Sequence, residues 1–321
     1  MTSKPRPTQG YHYAMPYDEY RADPALSQSG IKRYLDMTAR RAKEQDWLPP
    51  RPPTASQEMG ILFEAIAFMP EKLYQIPDGL SIDWSKAGIK TATPKPPATH
   101  YDCVCCDSPI VSKEKNKVLS NGKRAHLACA LQAEAQADSI SLAVSEGKVL
   151  IADSQMEMAE AICARLDGHT CMEDGRTVAD LLRGGRTQVA AFWSLGLSEC
   201  KGLYDVLTDD IVIDYKTCQG GNASPKEWPW QVRKWRYDFQ AAFYIAGAEL
   251  IEKRPHRFMW VVQETDPPYD VAVYECPREV IDDARHDVDL ALDTYTRCHA
   301  NDQFPGYPVG CLDFELPPRR A

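Results

Sequence analysis

Apolar positions fall into short, closely spaced runs between residues 187 and 276, with longer stretches of helical period on either side. Three strands are predicted over 187–194, 200–207 and 210–216, and the acidic pair Asp209-Asp210 separates the last two, CKGLYDVL and DIVIDYKT, as a hairpin turn would. A helix over 230–250 follows, then strands over 256–264 and 269–276. In the helix expected over 278–295, Val280, Ile281, Ala284, Val288, Ala291 and Leu292 recur at helical spacing and leave an acidic outer face. Upstream, Ser27-x-Ser29 opens a helix within 10–48, LPPRPPT (48–54) is a linker or turn, and helices are expected over 56–69 and near 154–167. The pattern predicts an α/β protein built on a mixed sheet flanked by helices, without internal repeats.

The chemistry concentrates on the predicted hairpin. Asp205 near the end of one strand faces Asp214 on the next, and Lys216 shares a strand face with Asp214 because side chains alternate with period two. Clustered carboxylates repel, and a hard divalent cation with oxygen ligands relieves that repulsion while leaving room for water and a phosphate oxygen. The ammonium of Lys216 would then orient an attacking water or steady charge on a phosphate. Two carboxylates and one lysine are the minimum set for metal-dependent phosphodiester hydrolysis, although a D-x-K triplet alone occurs on many solvent-facing strands. Further on, Gln240 and Tyr244 are spaced by four and share a helix face; burial of Phe239, Ala242, Phe243 and Ile245 explains the aromatics there but not the glutamine.

Six segments carry a wider resemblance: YDEYRADPALSQSGIKRYL (17–35), GILFEAIAFMP (60–70), QVAAFW (188–193), CKGLYD (200–205), VIDYKT (212–217) and YDFQAAFYIAG (237–247). In order and spacing the chain resembles the exonuclease VIII (RecE-type) branch of the PD-(D/E)XK nucleases, often encoded by phages or prophages. The resemblance implies a restriction-endonuclease-like core and a Mg2+- or Mn2+-dependent exonuclease that degrades one strand of double-stranded DNA from the 5′ end. Asp205, Asp214 and the backbone carbonyl of Tyr215 would hold the metal, Lys216 would position the nucleophile, and Gln240 and Tyr244 would bind the scissile phosphate or the lysine. Relatives act as rings around DNA and hand the resected strand to a single-strand annealing protein, so a homo-oligomer and such a partner in recombination are implied. Two positions depart from the family pattern. Glu64 stands where a histidine is usual, and Gln188 where a glutamate is more frequent. Either could still reach the metal, but a neutral amide is the weaker ligand. The alternative reading is therefore a catalytically weakened or inactive nuclease-fold protein serving as a zinc-stabilised DNA-binding or assembly module.

The zinc enters through a separate motif. Cys103 and Cys106, then His126 and Cys129 after a gap of 19 residues, form C-x2-C and H-x2-C pairs, four ligands suited to a closed structural Zn2+ site. Asn121-Gly122 marks a tight turn between two short strands inside this insertion. Cys105 could compete for a ligand place, and buried thiols or a disulfide are the alternatives. The remaining cysteines are scattered singly and read as core or surface thiols.

Composition refines the picture. A chain of 321 residues with 44% hydrophobic content can bury one large core plus a small module, while a mean hydropathy of −0.44 is too low for membrane insertion. The N-terminal MTSKPRPTQGYHYAMP shows no export signal, so a cytoplasmic location in a bacterial host is expected, with the eleven cysteines reduced. A net charge of −9 looks unsuited to nucleic acid, yet the acid gathers after Glu264, while Lys32, Arg33, Arg40 and Arg41, then Lys113, Lys115, Lys117, Lys123 and Arg124, then Lys226, Arg233, Lys234 and Arg236 gather near the candidate site and the insertion. The tryptophans of QGGNASPKEWPW (219–230) are expected to pack rather than stack on a base. The expected organisation is an N-terminal helical region (1–55), a first core helix with its connection (56–99), the zinc insertion (100–135), the nuclease core (136–310) and a tail (311–321).

Overall fold

A computed structural model of the chain describes residues 7–46, 54–76, 80–83, 88–91, 116–118, 124–126, 142–143, 145 and 148–311. It divides into two compact units, 1–51 with 167–321, and 52–166.

The first unit is built on the expected mixed sheet. Its strands are β1 (Gly10–His12), β2 (Leu26–Ser27), β3 (Arg186–Leu195), β4 (Ser198–Leu207), β5 (Ile211–Cys218), β6 (Arg257–Glu264) and β7 (Val271–Glu275). They run in the order β1-β3-β4-β5-β6-β7, with β2 attached to β4. The β5–β6 pairing is parallel and the other neighbours on this path are antiparallel. Besides β3, which pairs along most of its length, β4 has two further partners. Its early residues Cys200 and Lys201 pair in parallel with β2, whereas its far end pairs with β5 only through Val206↔Ile213 and Leu207↔Val212. Beyond those two pairs β4 and β5 separate, and Asp205 lies at the fork.

The helices of this unit are α1 (Tyr17–Ala22), α2 (Gln28–Asp36), α3 (Ala39–Asp46), α4 (Val178–Gly184), α5 (Trp228–Trp235), α6 (Tyr237–Glu252) and α7 (Arg278–Asn301). Ser27 caps α2 by accepting from the Gly30 amide at 3.2 Å, as the serine signal suggested. The helix expected over 230–250 is in fact two, α5 and α6, broken at Arg236, which adopts φ 58°. The physical reason is tertiary: the Arg236 guanidinium is tied to Asp238 on α6 and to Asp287 on α7, which fixes a left-handed corner that its side chain would otherwise disfavour. α7 buries Ile281, Ala284, Val288, Ala291 and Leu292 against the core, but Val280 remains 36% exposed. Helix α6 approaches the sheet closely because Gly247 and Gly202 lack side chains. A Cβ on Gly247 would lie 2.7 Å from the Tyr204 hydroxyl and 2.8 Å from the Trp193 ring, and one on Gly202 would lie 3.2 Å from the Tyr244 ring.

The second unit opens with a helix, Ala55–Phe68, whose capping box pairs Thr54 with Gln57 and whose apolar side buries Leu62, Phe63 and the run from Ala65 to Phe68. Strands Leu73–Ile76 and Val149–Ala152 pair in parallel. The hairpin expected around Asn121-Gly122 is present as Asn116–Val118 paired with Arg124–His126. Cys103, Cys105, Cys106 and Cys129, and the side chain of His126, lie outside the described residues, so the zinc site stays an expectation. Among the described residues no helix is long and apolar enough to cross a membrane.

Candidate active site

Where β4 and β5 part, backbone groups lose their ladder partners, and a buried amide without a partner costs roughly 1–3 kcal/mol. Asp205 supplies the missing acceptor: its Oδ2 takes the Tyr215 N–H at 2.8 Å. That bond fixes the carboxylate at the fork, beside the residue that precedes Lys216.

Asp214 is only 2% exposed, and the two groups that meet it are Gln240 and Lys216. Gln240 Nε2 donates to Asp214 Oδ1 at 2.8 Å, and Lys216 Nζ lies 2.5 Å from Asp214 Oδ2. Burial disfavours the Lys216 ammonium, but the neighbouring carboxylates of Asp214 and Asp205 outweigh it and hold its pKa above the ordinary lysine range. The lysine therefore stays charged, in contact with Asp214 and under the influence of Asp205. Tyr244, one turn beyond Gln240 on α6, shares a side-chain hydrogen bond with it, and its carbonyl accepts from the Tyr204 hydroxyl at 2.8 Å. Burial, with the nearby Tyr20 and both aspartates, pushes the Tyr244 phenol well above its usual pKa, so it stays neutral.

Gln188 lies on β3 between Thr187 and Val189, which pair with Val206 and Tyr204 on β4, so the register sets it opposite Asp205. It has φ 51°. A non-glycine residue held left-handed within a strand costs on the order of 1–3 kcal/mol, and such strain clusters where a side chain is being aimed. Glu64 is half-buried on the helix Ala55–Phe68 of the second unit. Within the first unit the fold thus brings Asp205, Asp214, Tyr215, Lys216, Gln240 and Tyr244 together, with Gln188 opposite Asp205.

Two residues of this region escaped the sequence reading. Lys201 on β4 is 5% exposed, and its ammonium donates to the carbonyls of Tyr20 at 2.7 Å and Asp23 at 2.6 Å, closing the C-terminal end of α1. Nothing in CKGLYD distinguishes it from a solvated lysine. Tyr237 lies with its ring 5.1 Å from Lys216 Nζ, and its place three residues before Gln240, on the same helix face, was the available signal.

The donor set suits a hard divalent cation. Two carboxylates and the Tyr215 carbonyl offer oxygen ligands, and Asp214 Oδ2, met by the Lys216 ammonium, is buried at the site. Among the described residues no group of three or more histidine, cysteine, aspartate or glutamate side chains is gathered, so the oxygens of the fork would share such an ion with water and substrate.

Comparisons with known proteins bear on the family and the fold. A family model described as a PDDEXK-like domain of unknown function (DUF3799) matches residues 111–315. No curated protein matches the chain. Among solved structures, the chain resembles a protein of Eubacterium rectale named provisionally as an exonuclease, at 12% identity and a TM-score of 0.54 over 96% of this chain and 97% of that one. At that identity the likeness speaks for the fold.

Proposed function

The chain belongs to the PDDEXK-like family DUF3799, and from that premise we propose that it is a Mg2+-dependent deoxyribonuclease, a 5′-to-3′ exonuclease on double-stranded DNA. The observation that carries the reading is the cluster at the fork, where Asp205, Asp214, Lys216 and Gln240 converge. Asp205 and Asp214 would hold Mg2+ or Mn2+, with the Tyr215 carbonyl and a contribution from Glu64 or Gln188. When bound, the ion supplies Lewis-acid activation of water and neutralises charge on the phosphate.

The chain's own residues do the rest. Lys216, kept protonated by its carboxylate neighbours, donates hydrogen bonds that aim a water at phosphorus and stabilise the negative charge that grows on the phosphate oxygens. Gln240 holds Asp214 in one orientation, so its other oxygen stays directed at the site. Asp205 is kept from rotating by the Tyr215 amide. Tyr244, neutral and bonded to Gln240, braces the amide and lies within the same helix face as a phosphate contact. Resemblance to the exonuclease VIII branch supports action in phage-type recombination, as a homo-oligomer working with a single-strand annealing protein.

Purified protein with Mg2+ should shorten linear duplex DNA from its 5′ ends and leave a covalently closed circle intact. Cutting of the circle, or release of nucleotides from the 3′ end first, would overturn the exonuclease assignment and its polarity.

A further inference from the structure

We propose that Tyr237 is a positioning residue for Lys216, holding the ammonium against Asp214 through the face of its ring. This rests on the reading of Lys216 as the lysine of a nuclease site.

A lysine on a four-carbon stem does not hold one direction by itself. Asp214 attracts the ammonium from one side, at 2.5 Å, but a Coulombic attraction leaves the stem free to swing. The Tyr237 ring supplies a second contact, with Nζ 5.1 Å from its centroid, so the ammonium is held between a carboxylate and a π face. Burial raises the Tyr237 phenol above its ordinary pKa, so the ring meets the lysine as a neutral aromatic and not as a phenolate.

The ring is itself immobilised by an aromatic ladder. Tyr237 stacks on Trp228 at 5.7 Å with 26° between planes, Trp228 stacks on Tyr274 at 6.0 Å and 16°, and Trp260 meets Trp228 edge-on at 6.1 Å. The far end is tied down where the Tyr274 hydroxyl donates to the Ala223 carbonyl at 2.5 Å. The near end is set by the left-handed corner at Arg236, whose guanidinium is held by Asp238 and Asp287. Six aromatic and charged residues with no place in the hydrolysis, Trp228, Trp260, Tyr274, Arg236, Asp238 and Asp287, thus fix one ring under the lysine. A structural core would need only their burial, and the stack ending under a cation is what it leaves unexplained.

The test uses the full chain and two readouts. In metal-free protein without DNA, the pH dependence of Lys216 modification by an amine-reactive reagent, followed by peptide mapping, reports how well the ammonium is held. Tyr237→Leu should be modified roughly 10-fold faster at a given pH, because the charged form has lost its ring contact, and Tyr237→Phe should match wild type. With DNA and saturating Mg2+, Tyr237→Leu should lower kcat by roughly 10-fold with little change in KM, and Tyr237→Phe should restore it. Tyr237→Met, which keeps most of the volume and lacks a π face, is run beside them in case leucine disturbs folding. Equal Lys216 modification in wild type, Tyr237→Leu and Tyr237→Met overturns the inference, as does a Tyr237→Phe variant that behaves like leucine. A wild type that labels as expected yet leaves DNA untouched would instead sink the nuclease reading and keep the ring contact.

Discussion

Removing the amide of Gln240 should cost stability and activity together, and Gln240→Leu is the variant to make. Gln240 Nε2 donates to Asp214 Oδ1 at 2.8 Å, and Asp214 is 2% exposed, so no water takes the donor's place without opening the core. A hydrogen bond to a charged group is worth about 1.5–3 kcal/mol, and losing one partner of a buried pair exposes most of that amount. Lys216 still faces the other oxygen and limits the loss, so the expected destabilisation of the metal-free protein is about 2 kcal/mol. For a unit of this size that corresponds to a melting temperature lower by roughly 4–8 °C. Trp193, Trp228 and Trp260 are buried in the same unit, so intrinsic fluorescence during urea or thermal unfolding in the presence of chelator reads the change directly. The rate of DNA digestion should fall by about 10-fold or more, since an Asp214 free to rotate no longer aims its second oxygen. Gln240→Glu sharpens the test. Two carboxylates at this distance cannot both ionise cheaply, so the folded-state pKa of the new acid is raised above its unfolded value. Its deficit should be small in acid and grow as pH rises through that raised value. A Gln240→Leu protein as stable and as active as wild type would refute the claim that this amide organises the site.

Two further outcomes follow from the parts of the site that the sequence proposes. If Glu64 takes the place of the family histidine at the metal, Glu64→Gln should raise the Mg2+ concentration for half-maximal rate, and a titration curve superimposable on wild type would remove Glu64 from the site. If Cys103, Cys106, His126 and Cys129 enclose one structural Zn2+, elemental analysis of protein prepared without chelator should find one zinc per chain, and Cys106→Ser or Cys129→Ser should release it while the sheet bearing Asp205 and Asp214 stays folded; freely reactive Cys103 and Cys129 thiols in native protein would contradict the site.

The β-rich half of the site was legible because local and tertiary signals coincide there. Asp205, Asp214 and Lys216 sit on two strands joined by an acidic turn, so alternation alone carries them to one place. Gln240 was legible as a polar residue on an apolar helix face, and its partner proved to be Asp214. The corner at Arg236 was not, because no glycine or proline marks it and its left-handed backbone is held by Asp287, 51 residues away. Lys201 reads as a surface lysine until α1 brings its carbonyl ends to it. The left-handed backbone of Gln188, opposite Asp205 in the register, likewise carries no local mark in the sequence.

The central claim is that Asp214 and Lys216 perform metal-dependent hydrolysis of DNA, and its most direct measurement is digestion of linear duplex DNA with Mg2+ by wild type, Asp214→Ala and Lys216→Ala, each shown by fluorescence to be folded. Wild type should digest the DNA, and each variant should be slower by about 10²-fold or more, the loss of one electrostatic group acting on the transition state. Near-normal digestion by either folded variant, or no digestion by wild type across a Mg2+ and Mn2+ titration, would contradict it.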